Sequence, residues 1–350
     1  MALDLDIDRI RQLVDEGVRA KVYPGAVWAV GDRTNMVIGT PGLMEPDRPG
    51  EPMRHDTVFD VAGLTKILAV WPAIGSLVED GKLHLDEQLG AFWSEVSGRP
   101  LGRVTARHLL THTAGVPSRT NLAHLYGTDP QDIRDGVLHE ATLRSPGEAV
   151  EHTDRAALVL GYLAEHLSGQ TLDVLAATGA WQPLGMTRTR YGPLSADAAA
   201  RCAPTGRDDV TGARLRGTAH DSSARLLGVC GIAGVFTVLP DLAAFLRHVL
   251  RPAREDGPTG LGPAWVEQSL RIQTGDLAPA RGLFWHPAPG TDPAADGVWA
   301  HYGRTGTGVW LSPGHGRWAV LLTNRDYFTR GREPLTHVRD AFRSLAFSRG

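Results

Sequence analysis

Cysteine is nearly missing from this sequence. Cys202 and Cys230 are the only two, and neither sits in a CxxC pair, which argues against a disulfide scaffold or a zinc knuckle. Long apolar runs are missing too. No 18 consecutive apolar residues occur, so no transmembrane helix and no membrane partner are expected. Nor is there an excess of charge: 36 Lys and Arg against 39 Asp and Glu leave a net −3, without the basic face that nucleic-acid binding usually leaves. The arginines are dispersed, apart from a modest C-terminal cluster read as solvated surface. There is no Gly-x-Ser-x-Gly elbow, phosphate loop or dinucleotide fingerprint, and no cofactor is implied. The opening residues, Met1-Ala2-Leu3-Asp4-Leu5-Asp6, lack the basic-then-apolar pattern of a secretory leader. A cytoplasmic location is the expectation.

What is present is the composition of an ordinary globular protein, 350 residues with 42% hydrophobic and 21% charged, ample for a large core. Ile7, Ile10, Leu13, Val14 and Val18 form a helical stripe. Residues 25–31 and 36–39 are short, β-rich and joined by a polar turn, which predicts an antiparallel hairpin. From about residue 74 to 215 helical runs and proline-rich connections dominate, with helices predicted over 107–115 and 154–167. Strand character returns at 235–238, 309–311 and 318–322, with helices over 242–250 and 334–347. Loops at 253–262 and 287–296 are expected to be exposed. Strands at both ends and helices between them predict an α/β lobe from residues 1–73 and 216–350, a helical lobe from 74–215, and a cleft between them.

Three stretches could carry chemistry. In Phe59-Asp60-Val61-Ala62-Gly63-Leu64-Thr65-Lys66, a lysine enters an apolar helix with no charged neighbour until Glu79. Burial disfavours a charged amine, so such a lysine can serve as a base. Three residues earlier, on the same helix face, a hydroxyl nucleophile would be looked for, near the positive end of the helix dipole. Gly63 stands there instead. Taken alone, the stretch reads rather as a helix that happens to contain a glycine and a snorkelling lysine. In Glu151-His152-Thr153-Asp154, either Thr153 or Asp154 could cap the following helix, and His152 could carry protons near neutrality. In His301-Tyr302-Gly303-Arg304-Thr305-Gly306-Thr307-Gly308, the glycines would let a backbone approach a ligand, or simply make a turn into a strand. His108 and His112 lie at i, i+4 but lack a third ligand. They read as structural, and no metal is expected. His220-Asp221 could line a cleft, with core or loop packing the preferred reading.

Together, in this order, the three stretches resemble serine β-lactamases of the class C type, penicillin-binding proteins and their esterase and transacylase relatives. Those carry Ser-x-x-Lys, then Tyr-x-Asn, then Lys-Thr-Gly or His-x-Gly. Gly63 to Lys66, His152 to Asp154 and His301 to Gly303 stand in these places. Arg107 to Gly115 is similar to the family's Arg-His-Leu-Leu-Thr-His-Thr-Ser-Gly, and the likeness runs from about Gly25 to Arg330. The resemblance implies an antiparallel sheet flanked by helices, with an inserted all-helical lobe. It implies acyl transfer through a seryl ester, with Lys66 as base, His152 as proton relay and Asp154 orienting Lys66 or substrate. The backbone N–H groups of residue 63 and Arg304 would form the oxyanion hole. His301 would stand where penicillin-recognising members bind a carboxylate, with Tyr302, Gly303 and Thr305 shaping the substrate pocket. The partners implied are a small-molecule acyl donor and an alcohol, amine or water acceptor.

The glycine at position 63 departs from that pattern, since without a hydroxyl no acyl-enzyme forms there. Thr65 cannot substitute, lying about 200° around a helix of 3.6 residues per turn. Either a serine enzyme has been inactivated by replacement, or this is a naturally inactive binding relative. Retention of Lys66, His152 and the third stretch favours replacement. Transacylases of this fold exchange ester for amide in natural-product tailoring, capuramycin-type nucleoside antibiotics among them. Low lysine and high Arg, Ala and Gly content suit a GC-rich, antibiotic-producing source. An esterase or β-lactamase-like hydrolase is the alternative. The sequence leaves the oligomeric state open.

Overall fold

A computed structural model describes residues 5–48, 50–118, 121–251, 260–291, 297–328, 331 and 333–348. The hairpin forms as its alternation predicts: β1 (Ala26–Gly31) pairs antiparallel with β2 (Met36–Gly39), Trp28 opposite Gly39. On its other edge β1 pairs with β9 (Arg317–Thr323) from near the C-terminus. With β6 (His286–Pro287), β7 (Trp299–Tyr302) and β8 (Gly308–Ser312), these make an antiparallel sheet in the order β2-β1-β9-β8-β7-β6.

Every residue of β1 is buried because both faces of the sheet are covered. Ala26, Trp28 and Val30 face the terminal helices Ile7–Arg19 and Glu333–Ala346, meeting Ile10, Val14 and Phe342. Val27 and Ala29 face the main core, which includes the helix Leu239–Val249. The two-residue period of the strand thus sorts one stretch of sequence into two cores.

A second, three-stranded sheet joins β3 (Phe59–Asp60), β5 (Val235–Thr237) and β4 (Arg190–Tyr191). It anchors the approach to Gly63. The run after β3 is not a plain α-helix as expected. It opens as a 3-10 turn at Ala62–Leu64, widens to a π-type turn at Lys66–Val70, and becomes α-helical at Trp71–Glu79. Residues 62–79 are long and apolar enough to cross a membrane, but 78% of that stretch is buried inside the protein.

Other expectations shift in detail. The helix predicted over 107–115 spans only Ala106–Leu110, because His112 takes a positive φ of 58° that ends the helical path. The helix Asp154–Ser168 closes on Gly169, left-handed as a C-cap glycine should be. Residues 252–259 and 292–296 of the two loops lie outside the described residues. Of the described parts, Gly260 and Leu261 are buried rather than exposed, and Glu79 accepts the N–H of Gly260 and of Gly262.

Candidate active site

The site begins at Asp60, at the end of β3. Its buried carboxylate accepts the N–H of Ala62 at 2.8 Å and that of His220 at 2.6 Å. Ala62 has φ of +45°, a conformation that costs a residue with a side chain about 1–3 kcal/mol and persists only where its surroundings impose it. Asp60 supplies part of that restraint. Burial pushes its carboxyl up to about 6, against the two amide bonds that pull it down.

The turn presents Gly63 to the cleft. A Cβ placed on Gly63 would stand 3.7 Å from Lys66 Nζ and 3.0 Å from the Tyr302 carbonyl oxygen. A hydroxyl there comes within hydrogen-bond reach of the amine, provided β7 gives by a few tenths of an ångström. Lys66 is only 2% exposed, and its Nζ donates to Asp154 Oδ1 at 2.8 Å and to the Ile232 carbonyl at 3.3 Å. Thr65 points elsewhere: its hydroxyl accepts the N–H of Val235 at 3.2 Å.

In the second stretch Thr153 is the helix cap, its hydroxyl accepting from Arg155 N–H and donating to the Pro117 carbonyl. Capping by Thr153 leaves Asp154, the first helical residue, to pair with Lys66. The ring of His152 lies against His112, centroids 4.5 Å apart. His112 is buried, and burial together with neighbouring His152, Arg281, Lys66 and His301 pushes its pKa well below the usual histidine value.

The third stretch is the end of β7 and the turn into β8. His301 is buried, with Nδ1 2.8 Å from the Phe284 carbonyl and Nε2 3.1 Å from the Gly63 carbonyl. Its ring nitrogens therefore face backbone, so it braces β7 against the Gly63 turn and is poorly placed to hold a substrate carboxylate. Burial, with His286 and Lys66 nearby, lowers its pKa far below the usual value. Tyr302 packs under the guanidinium of Arg339, 4.8 Å from ring centroid, and its hydroxyl accepts from Trp310 Nε1.

Gly303 does permit a close approach, but to protein. A Cβ there would lie 2.3 Å from the Val61 carbonyl and 2.2 Å from Thr307 Oγ1. Thr305 is fully buried and donates to the Asp60 carbonyl at 2.7 Å. It holds the turn and does not reach the cleft, contrary to the substrate-binding role expected of it. Arg304 is mostly exposed, its guanidinium 3.9 Å from Asp326.

Gly63, Lys66, His152, Asp154, His301, Tyr302, Gly303 and Arg304 all line one cleft of about 630 Å³. Among the described residues, no acceptor is paired with the N–H of Gly63 or of Arg304. Both amides are free to meet an oxyanion.

The sequence reading missed part of the wall. His220 and Asp221, for which packing is the preferred reading of the sequence, take the alternative and line the cleft, because Asp60 draws the His220 amide inward. No local pattern marks that long-range bond. Arg339 and Arg325 also line it, so the C-terminal arginines are not all solvated. Arg339 donates to the carbonyls of Gly303 and Thr307. Its position four residues after buried Leu335, on the inward helix face, was an available signal.

Known proteins share this architecture. A putative D-alanyl-D-alanine carboxypeptidase of Escherichia coli (strain K12) is 25% identical over 305 residues, spanning 77% of this chain and 70% of its own length. EstCE1, a hydrolase with promiscuous acyltransferase activity, superposes with a TM-score of 0.75 at 20% identity, over 96% of this chain and 98% of its own. Simvastatin synthase (LovD) from Aspergillus terreus, a LovD6 mutant, gives 0.74 at 18% identity, over 99% and 97%. At these identities the structures speak for the fold alone. The Beta-lactamase family model matches residues 10–342, and the chain belongs to that family.

Proposed function

We propose that the cleft carries out acyl transfer through a seryl ester when serine occupies position 63, and that the chain with Gly63 holds its substrate unreacted. The observation that carries this reading is the direction of the missing side chain, whose Cβ would face Lys66 Nζ at 3.7 Å. The serine attacks an ester carbonyl as its proton passes to the uncharged amine of Lys66, which has first yielded its extra proton to the paired Asp154 carboxylate. The N–H groups of residue 63 and Arg304 receive the oxyanion. An alcohol, amine or water then takes the acyl group, with His152 at hand to carry protons. Transacylation between small molecules, of the kind used in natural-product tailoring, is favoured over plain hydrolysis.

Turnover of a p-nitrophenyl ester tests this. Gly63→Ser should release p-nitrophenolate at least 100-fold faster than the parent chain, and Lys66→Ala in that background should return it to the parent rate. Adding an amine acceptor should divert the acyl group from acid to amide. Turnover that ignores Lys66 would contradict the mechanism. Acid as the sole product at every amine concentration would make the protein a hydrolase. The rival reading, a binding protein that never had a nucleophile, predicts no turnover from any position-63 variant.

A further inference from the structure

Beside the main cleft lies a second cavity of about 190 Å³, lined by His112, His152, Arg281, Phe284, His286 and Tyr302 together with His301. His152, His301 and Tyr302 line both spaces, so the small cavity adjoins the place where a reacting group would sit.

Its chemistry is one-sided, because among the described residues no acidic side chain contributes to its wall. The Nε of Arg281 is sealed from solvent and has no hydrogen-bond partner. Burial alone lowers the pKa of this guanidinium, with no carboxylate near enough to oppose it. The side chain is only partly exposed and, among the described residues, no carboxylate pairs with it; a half-desolvated guanidinium at a cavity wall favours an anion in front of its Nη groups. Of the histidines, His286 spends its Nδ1–H on the Pro287 carbonyl and both His301 nitrogens face carbonyls, so His112 is the ring with a donor placed by its bonding. His112 Nδ1 accepts the Thr153 N–H, which puts its proton on Nε2. A cation is the wrong occupant: among the described residues no three His, Cys, Asp or Glu side chains converge as metal ligands, and the guanidinium would repel one.

We propose that this cavity is an anion subsite that takes the carboxylate of a substrate whose reacting group lies beside Gly63. The planar fork of arginine matches a carboxylate in two parallel hydrogen bonds, and the cavity has room for a carboxylate on a short chain with Phe284 against its methylenes. The inference rests on reading the main cleft as the substrate site. It is tested by binding alone, without turnover, so failure of the acyl-transfer chemistry would show separately in the Gly63→Ser ester assay.

The probes are glutarate and its uncharged counterpart glutaramide, titrated into the full Gly63 chain with its histidine rings labelled for NMR. Glutarate should saturate shifts of the His112 and His286 ring signals, and glutaramide should leave them in place. Arg281→Met, similar in length and uncharged, should weaken glutarate binding at least tenfold. Arg281→Lys, which keeps the charge but loses the fork, should fall between and guards against a folding defect in the methionine variant. Equal shifts from glutaramide, no saturable shift from glutarate, or undiminished binding by a folded Arg281→Met chain would each overturn the proposal.

Discussion

Lys66 Nζ is held 2.8 Å from Asp154 Oδ1, joining the turn after β3 to the first residue of the helix Asp154–Ser168. The lysine is 2% exposed and the aspartate 36%, so the pair is sealed on one side and wet on the other. It points the amine toward the place where a side chain on residue 63 would be. Removing either partner should cost stability, and the loss should be shared. A double-mutant cycle with Lys66→Met and Asp154→Ala should give a coupling of roughly 1–3 kcal/mol, less than a fully buried pair because the aspartate is partly solvated. Additive urea-unfolding energies would contradict the pairing.

Acid should loosen the fold. Burial pushes His286 down to about 4, and His112 and His301 are pushed the same way. The unfolded chain takes up protons at these rings below about pH 6.5, while the folded chain resists. Each ring then costs ~1.4 kcal/mol per pH unit until its folded value is reached. Asp60 works in the opposite sense. Its carboxyl, raised to about 6, contributes stability that is present at low pH and lost as pH rises through 6. One carboxyl offsets about one ring, so the histidines win. The urea midpoint should be lower at pH 5 than at pH 7; an equal or higher midpoint would count against neutral buried rings.

Gly303→Ala should destabilise the protein by ~1–3 kcal/mol, as overpacking does. The added methyl meets the Val61 carbonyl at 2.3 Å, backbone that cannot step aside without moving the Gly63 turn. In the Gly63→Ser background the same change should slow ester turnover. Unchanged stability and unchanged rate would show that the turn tolerates displacement.

Thr65→Val should lose the hydrogen bond from Val235 N–H and with it ~1–3 kcal/mol for a buried amide left unpaired. It should leave acylation of Gly63→Ser intact, because the Thr65 hydroxyl faces β5. Loss of the acyl adduct in a folded Thr65→Val chain would make Thr65 part of the chemistry.

Much of this was legible in the sequence where periodicity runs long enough. The hairpin at 26–39 and the helix Asp154–Ser168 form where alternation and apolar spacing put them. The three stretches with chemical character meet at one cleft. What could not be read was short or long-range. β3, β4 and β6 are two residues each, too brief to show a period. The inward pull on His220 comes from a carboxylate 160 residues away. The role of Gly303 is set by Val61, and that of Thr305 by the Asp60 carbonyl, tertiary contacts invisible to spacing along the chain.

The intact mass of the Gly63→Ser chain after exposure to an activated acetyl ester tests the vacancy at position 63 most directly. One added acetyl group should appear, located at position 63 by peptide mapping, absent from the parent chain and from the Gly63→Ser, Lys66→Ala double variant. An unmodified mass, or an acetyl group found at any other residue, would contradict the assignment of position 63 as the empty seat of the nucleophile.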